Sequence, residues 1–162
     1  CPTCGQPLHY ERAGFVARCS GCNLEHYPRV DPAGIVAVEW QDQLLLGRQA
    51  GWAAERYSLI AGFVEPGESL EDAVAREVLE ETGVHVSEAD YHSSQPWPFP
   101  SSLMLGFRAE AKNWPELKVD GDELEDARWF RRDEVAAIHS LGLRLPFRGT
   151  IARALIEAWL AA

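Results

Sequence analysis

Apolar and polar positions along the chain change period several times, and the changes mark its elements. Ile35–Trp40 (IVAVEW) and Leu44–Gly47 are apolar and partly alternating, with Gln41-Asp42-Gln43 as a turn, so they predict two strands. Tyr57–Ala61 predicts a strand leading into a glycine-punctuated loop, Gly62–Glu68. Ser69–Thr82 predicts a helix: Ser69 followed by Asp72 is a capping pattern, and Gly83 suits the left-handed residue that ends it. Leu103–Ala111 and Ala127–Arg131 are further strands, Arg132–Ser140 a short helix, and Gly149–Ala161 an amphipathic C-terminal helix. Strands and helices in this order predict an α/β domain, a mixed sheet flanked by helices. No internal repeat or low-complexity segment interrupts it.

A different pattern precedes this domain. All four cysteines fall early, as Cys1-Pro-Thr-Cys4 and Cys19-Ser-Gly-Cys22, two C-x-x-C pairs 14 residues apart. That spacing predicts a zinc ribbon in which four thiolates close a tetrahedral shell, a structural site with no position left to activate water. Two disulfides or a redox C-x-x-C are the rival uses of the same residues. Leu8–Arg18 would be a hairpin between the knuckles, and Tyr27-Pro28 and Asp31-Pro32 a linker, each proline holding its predecessor extended. The chain therefore divides into a ribbon over 1–30 and a main domain over 31–162.

Composition narrows the class. At 162 residues, 46% hydrophobic and 25% charged, the chain reads as an ordinary globular protein. No apolar run approaches the ~20 residues of a membrane span, and a cytoplasmic location is expected. A net charge of −10 disfavours non-specific nucleic-acid binding, which needs a Lys/Arg surface. It leaves a phosphorylated small molecule open, provided that cations sit between the two sets of negative charge.

The predicted Ser69–Thr82 helix carries such a place. Glu77, Glu80 and Glu81 are spaced i, i+3, i+4 and share a face, and Gly62–Val84 holds seven acidic residues against one basic residue, Arg76. Like charges at that spacing oppose the helix unless hard divalent cations, Mg²⁺ or Mn²⁺, neutralise them. A solvated acidic face is the plainer use of such a run. Beyond the helix, Ser94-Gln95-Pro96-Trp97-Pro98-Phe99-Pro100-Ser101 carries three prolines that forbid helix and hold Trp97 and Phe99 on an extended strip. The strip could present its aromatics to a flat ring, or pack them as a rigid surface loop. The five histidines, His9, His26, His85, His92 and His139, form no ligand-spaced cluster.

Gly62, Glu68, Arg76-Glu77, Glu80-Glu81 and Gly83 occur as G-x5-E-x7-R-E-V-x-E-E-x-G-V, which resembles the Nudix box at every defining position. Together with the four-cysteine ribbon and the S-Q-P-W-P-F-P-S strip, the chain resembles the NADH pyrophosphatase (NAD-capped RNA hydrolase) branch of that superfamily over essentially its whole length. The resemblance implies a Nudix α/β/α sandwich behind a small zinc ribbon. It implies Mg²⁺ or Mn²⁺ held by Glu77, Glu80, Glu81, the Ala61 carbonyl and Glu123 of the acidic turn Asp120–Asp126. Glu81 or a neighbour would help activate water, Arg76 would orient a carboxylate, and Glu68 would support the ligands or the helix geometry.

Substrate contacts are implied for Tyr27, Ile35, Phe63, Met104, Ala152 and the strip Gln95, Pro96, Trp97, Pro98, Phe99, Pro100, Ser101 and Ser102, with Phe63 stacking a base. Relatives carry a further domain ahead of the ribbon, whereas this sequence opens at the first zinc ligand; Gly14 stands where some of them place a polar contact. The implied reaction is metal-dependent hydrolysis of NADH or NAD⁺ to AMP and nicotinamide mononucleotide. The alternatives are removal of an NAD cap from RNA 5′ ends, with Arg144, Arg148 and Arg153 as a basic lip, or hydrolysis of ADP-ribose. A sensor that binds a nucleotide without cleaving it is a further class, disfavoured by the intact glutamates. Glu81 is expected at the surface. The resemblance and the apolar face of Ile151, Leu155, Ile156 and Trp159 suggest a homodimer, although the same face could cover the chain's own sheet.

Overall fold

The computed structural model describes residues 1–112, 116–119 and 121–162, which form two compact units, Cys1–Val30 and Asp31–Ala162. The first holds a three-stranded antiparallel sheet of β1 (Leu8–Glu11), β2 (Val16–Cys19) and β3 (Glu25–His26). The predicted hairpin is there, and β3 is a strand that the sequence reading did not include.

The second unit is built on a six-stranded mixed sheet. Its strands are β4 (Asp31–Trp40), β5 (Gln43–Gln49), β6 (Ile60–Phe63), β7 (Asp90–Trp97), β8 (Ser102–Glu110) and β9 (Leu124–Arg131). The order is β7-β8-β4-β5-β9, with β4 and β8 parallel and β6 paired antiparallel to the first half of β4. Helices are α1 (Leu70–Thr82), α2 (Arg132–Ala136) and α3 (Ile151–Ala161).

β4 is nearly continuous in apolar residues because both of its faces are covered. Ile35 and Ala37 join the core with α3 residues Leu155, Ile156 and Trp159, whereas Val36 and Val38 join the core with α1 residues Val74 and Val78. This is the α/β/α sandwich that the resemblance implied. The apolar stripe of α3 is consumed here: Ile151, Leu155, Ile156 and Trp159 are 0–6% exposed within their own unit, so this face supplies no dimer contact. Burying each such side chain contributes about 1.5–3 kcal/mol, which is why the helix folds back on its sheet.

Several predicted boundaries shift, β9 for instance starting at Leu124 rather than Ala127. Asp31-Pro32 is the start of β4 rather than linker, since Asp31 pairs with Ser102 and the Pro32 carbonyl accepts from Val64. The strand predicted at Tyr57–Ala61 is regular only from Ile60 and runs on through Gly62 and Phe63, because Ala33–Val36 pair with it. The helix predicted to Ser140 breaks at Ala137 and continues as a 3-10 turn, Ile138–Leu141. The proline strip is an edge strand as far as Trp97; Pro96 is tolerated because β7 has a neighbour on one side only. Among the described residues no helix is long and apolar enough to cross a membrane.

Candidate active site

α1 starts where Ser69 Oγ accepts from the Asp72 N–H, and ends at Gly83 in the left-handed region. Residues one turn apart then point the same way, and Glu77 and Glu81 do so toward β6. Gly62 makes the approach feasible: a Cβ there would stand 1.9 Å from Glu77 Cδ. Glu123, from the segment ahead of β9, completes the group, and one oxygen from each of Glu77, Glu81 and Glu123 lies within 4.8 Å of the others. Asp120, at the start of that acidic turn, lies outside the described residues.

Arg76 locks the cluster from the side. Its Nε and Nη2 donate to the two oxygens of Glu68 (2.6 and 3.0 Å), and Nη2 also donates to the Phe63 carbonyl (3.0 Å). Its Nη1 donates to Glu77 (2.9 Å) and Glu80 (3.0 Å). Glu80 thus turns to the arginine, its side chain 61% exposed, and stands apart from the three converging carboxylates. Glu81, expected at the surface, is 4% exposed. Burial pushes the Glu77 carboxyl up from its ordinary range, Arg76 pulls it down, and Glu123 and Glu80 push it up again. The hydrogen bonds from Arg76 and from the Glu65 N–H hold Glu68 down to about 2.

Two partly buried carboxylates beside a third are a poor arrangement unless a cation joins them. An octahedral Mg²⁺ places its oxygens about 3–4.2 Å apart, and three hard carboxylate oxygens within 4.8 Å of one another are of the chemistry and near the spacing that such an ion takes. Ala61, in β6 beside Ile35, lines the clefts on both sides of the cluster.

One cleft, of about 980 Å³, is acidic and open; Phe63, Trp97, Phe99, Ser102 and Met104 line it with Glu77, Glu80, Glu81 and Glu123. The other, of about 230 Å³, is mostly apolar and lined by Ile35, Ala152, Met104, Trp97, Trp52 and Arg56, with Glu81 at its wall. Trp97 and Phe99 meet edge to face, with centroids 5.4 Å apart. Trp52 and Arg56 were missed in the sequence; a lone tryptophan in a loop carries no periodic signal.

Other implied contacts stand differently. Gln95 lines the apolar cleft, but its amide donates to the Gly149 carbonyl (2.7 Å) and accepts from the Ile151 N–H (2.8 Å), tying β7 to the start of α3. Ser101 donates to Asp31 (2.7 Å). Pro96, Pro98 and Pro100 are exposed and do not line either cleft. Tyr27 belongs to the first unit, 69% exposed, its hydroxyl on Glu25 at 2.9 Å.

In the ribbon, the four cysteines are free thiols with Sγ atoms within 4.8 Å of one another. Cys1–Cys22 and Cys4–Cys19 are 3.7 and 3.4 Å apart, close to the ~3.8 Å between sulfurs on a tetrahedral zinc. Donation from the Cys22 and Gly21 N–H groups holds the Cys19 thiol down to about 6. His26, given no role above, has Nε2 3.3 Å from Cys1 Sγ.

A mixed α/β/α sandwich with a glycine loop, a carboxylate helix and a four-thiol ribbon defines a Nudix-type protein. The NUDIX domain family matches residues 28–152 and the NADH pyrophosphatase zinc ribbon domain matches residues 1–27, and the chain belongs to the NUDIX family. It is 48% identical over 161 residues to the NAD-capped RNA hydrolase NudC of Stutzerimonas stutzeri (strain A1501), covering 99% of this chain and 55% of that protein. It is 43% identical over 174 residues to the NAD-capped RNA hydrolase NUDT12 of Homo sapiens, covering 99% and 37%. The chain thus spans about half or less of the length of these relatives. A NUDIX hydrolase from Nitrosomonas europaea shares the fold, with a TM-score of 0.78 at 24% identity over 99% of this chain and 89% of that one.

Proposed function

We propose that this chain hydrolyses the diphosphate bridge of an NAD-type dinucleotide in the cytoplasm, giving AMP and nicotinamide mononucleotide from NADH or NAD⁺. The observation that supports the reading is that Glu81, which converges with Glu77 and Glu123, lines both of two ring-lined clefts. A substrate with two rings joined by a diphosphate has that layout. Phe63, Trp97 and Phe99 serve one ring, and Ile35, Met104 and Ala152 serve the other.

Glu77, Glu81, Glu123 and the Ala61 carbonyl would hold Mg²⁺ or Mn²⁺, with Glu80 reaching an outer ion. When bound, such ions would offset the charge of the diphosphate and lower the pKa of water. Glu81, buried at the cluster, takes the proton as water adds to one phosphorus and the P–O–P bond breaks. Arg76, anchored by Glu68, holds Glu77 and Glu80 directly. The four cysteines hold a structural zinc.

The names of the relatives favour a second substrate for the same chemistry, RNA carrying an NAD cap. Product analysis with NADH, NAD⁺, NAD-capped RNA and ADP-ribose, each with Mg²⁺ and with Mn²⁺, ranks them. Binding without turnover of any of the four would replace the enzyme by a nucleotide sensor. The reading includes a homodimer, for which the family resemblance is the support.

A further inference from the structure

The basic lip foreseen at Arg144, Arg148 and Arg153 is rebuilt in the structure. Arg153 is spent on Glu157 at 2.7 Å, with 18% of its side chain exposed. Arg56 takes its place. Its guanidinium lies over the Trp52 ring at 4.9 Å and over the Phe147 ring at 5.8 Å. Backbone bonds hold this loop beside the segment that precedes α3: Tyr57 N–H donates to the Arg144 carbonyl (3.0 Å) and Arg144 N–H to the Glu55 carbonyl (2.7 Å).

The result is a cationic and aromatic rim on a chain of net charge −10. Phe147 is 75% exposed and the Arg144 side chain 71%. Arg144 has Glu55 only at 3.9 Å, and among the described residues Arg56 and Arg148 have no carboxylate partner. A stacked Arg56 could simply staple two loops together. A staple accounts for Arg56, Trp52 and the ring face of Phe147 that Arg56 covers, but needs neither Arg144 nor Arg148. The rim also continues the substrate cleft: Trp52, Arg56 and Pro146 line the apolar cleft that has Glu81 in its wall.

Exposed guanidinium groups interleaved with aromatic rings are the chemistry that holds single-stranded nucleic acid, phosphates on the cations and bases on the rings. We propose that this rim receives the first nucleotides of an RNA whose 5′ end carries the dinucleotide. Arg56, Arg144 and Arg148 meet its phosphates, and the outer face of Phe147 stacks a base. The inference rests on the dinucleotide reading above. The polynucleotide leaves from the adenosine ribose, so the adenosine half occupies the cleft nearest the rim.

The test compares two substrates, the free dinucleotide and an oligoribonucleotide capped with it, in wild type, in Arg144→Gln/Arg148→Gln and in Phe147→Ala. None of these three residues lines either cleft. Binding of the dye-labelled capped oligonucleotide, read by anisotropy, should weaken on the order of ten-fold in the double variant near 0.1 M salt. Its logarithmic salt dependence should flatten by about 1.4, from two lost phosphate contacts on a single strand. Phe147→Ala should weaken binding about five-fold. Hydrolysis of the free dinucleotide should stay within about two-fold throughout. Unchanged oligonucleotide affinity and salt slope in the double variant would overturn the rim assignment. Absence of any hydrolysis by wild type would instead remove the dinucleotide reading, while the anisotropy measurement still decides what the rim binds.

Discussion

Gly62→Ala tests the placement of the carboxylates without removing one. The new Cβ would stand 1.9 Å from Glu77 Cδ and 2.2 Å from each of its oxygens, against the 3.0 Å below which real Cβ contacts essentially never occur. Glu77 must therefore retreat by about 1 Å or more, and a displacement of that size costs roughly 100-fold in rate, about 2.7 kcal/mol. Backbone strain is not the cause, since Gly62 has no left-handed φ and pairs with Gly34 in a regular strand. The assay is kcat/KM for NADH across a Mg²⁺ titration, with a thermal melt to establish folding. Expected are a roughly 100-fold loss and a need for more Mg²⁺. A double-mutant cycle with Glu77→Ala isolates the mechanism, because the three atoms nearest the new Cβ all belong to the Glu77 carboxylate. If Gly62→Ala costs as much in the Glu77→Ala background as in wild type, or if the folded single variant keeps full activity, the reasoning fails.

Four further outcomes are expected. Glu81→Gln keeps the shape of a side chain that is 4% exposed, so it should fold normally yet lose several orders of magnitude in turnover; near wild-type hydrolysis of NADH would contradict its assignment. Elemental analysis should find about one zinc per chain, and a thiol-selective chelator should release it and loosen Cys1–Cys22 while Mg²⁺ binding persists, whereas zinc-free protein with disulfides would sink the ribbon. Phe63→Ala and Trp97→Ala should each cut kcat/KM for NADH by roughly 5- to 150-fold, the cost of one stacking contact of about 1–3 kcal/mol. At least one of them should matter less for a diphosphate without the nicotinamide ring; equal losses on both substrates would make the strip a support for the catalytic loop. Light scattering should give twice the 18.0 kDa chain mass, and a fully active monomer would dispose of the dimer.

What was legible in the sequence is what depends on neighbours in the chain. The i, i+4 spacing of Glu77 and Glu81, the Ser69 cap and Gly83 are local features, and the helix carries them as read. The divergence of Glu80 was not legible, because it depends on which carboxylates Arg76 reaches after Glu68 has anchored it. Gln95 shows the same limit over a longer range. Its two partners, Gly149 and Ile151, lie 54 and 56 residues away, so nothing beside it in the sequence announces that its amide is engaged. The strand character of Asp90–Trp97 was hidden by Pro96, which is compatible with a ladder only at the sheet edge that β7 occupies, and by the prolines that follow it. The apolar face of α3 could be read as a dimer surface or, its commoner use, as core, and the covering sheet decides for core.

The helix with the carboxylates, α1, and the helix beside the apolar cleft, α3, cover opposite faces of the sheet, and β4 and β6 lie between them. Val36 packs toward α1, which carries Glu77 and Glu81, whereas Ile35, the next residue back, packs toward α3 and lines the apolar cleft. Ile35 pairs with Ala61, and Gly34 pairs with Gly62. Ala61 lines both clefts, and Gly62 lies against Glu77. Paired residues on adjacent strands hold their spacing because backbone bonds fix the register. The distance between the carboxylates and the ring-binding walls is therefore set by the ladder rather than by side chains. Residues on α3 and β7 could therefore change without moving the three converging carboxylates. If the proposed reaction holds, that separation lets the motif at Gly62–Val84 mark the bond to be cut while the clefts around it select the substrate.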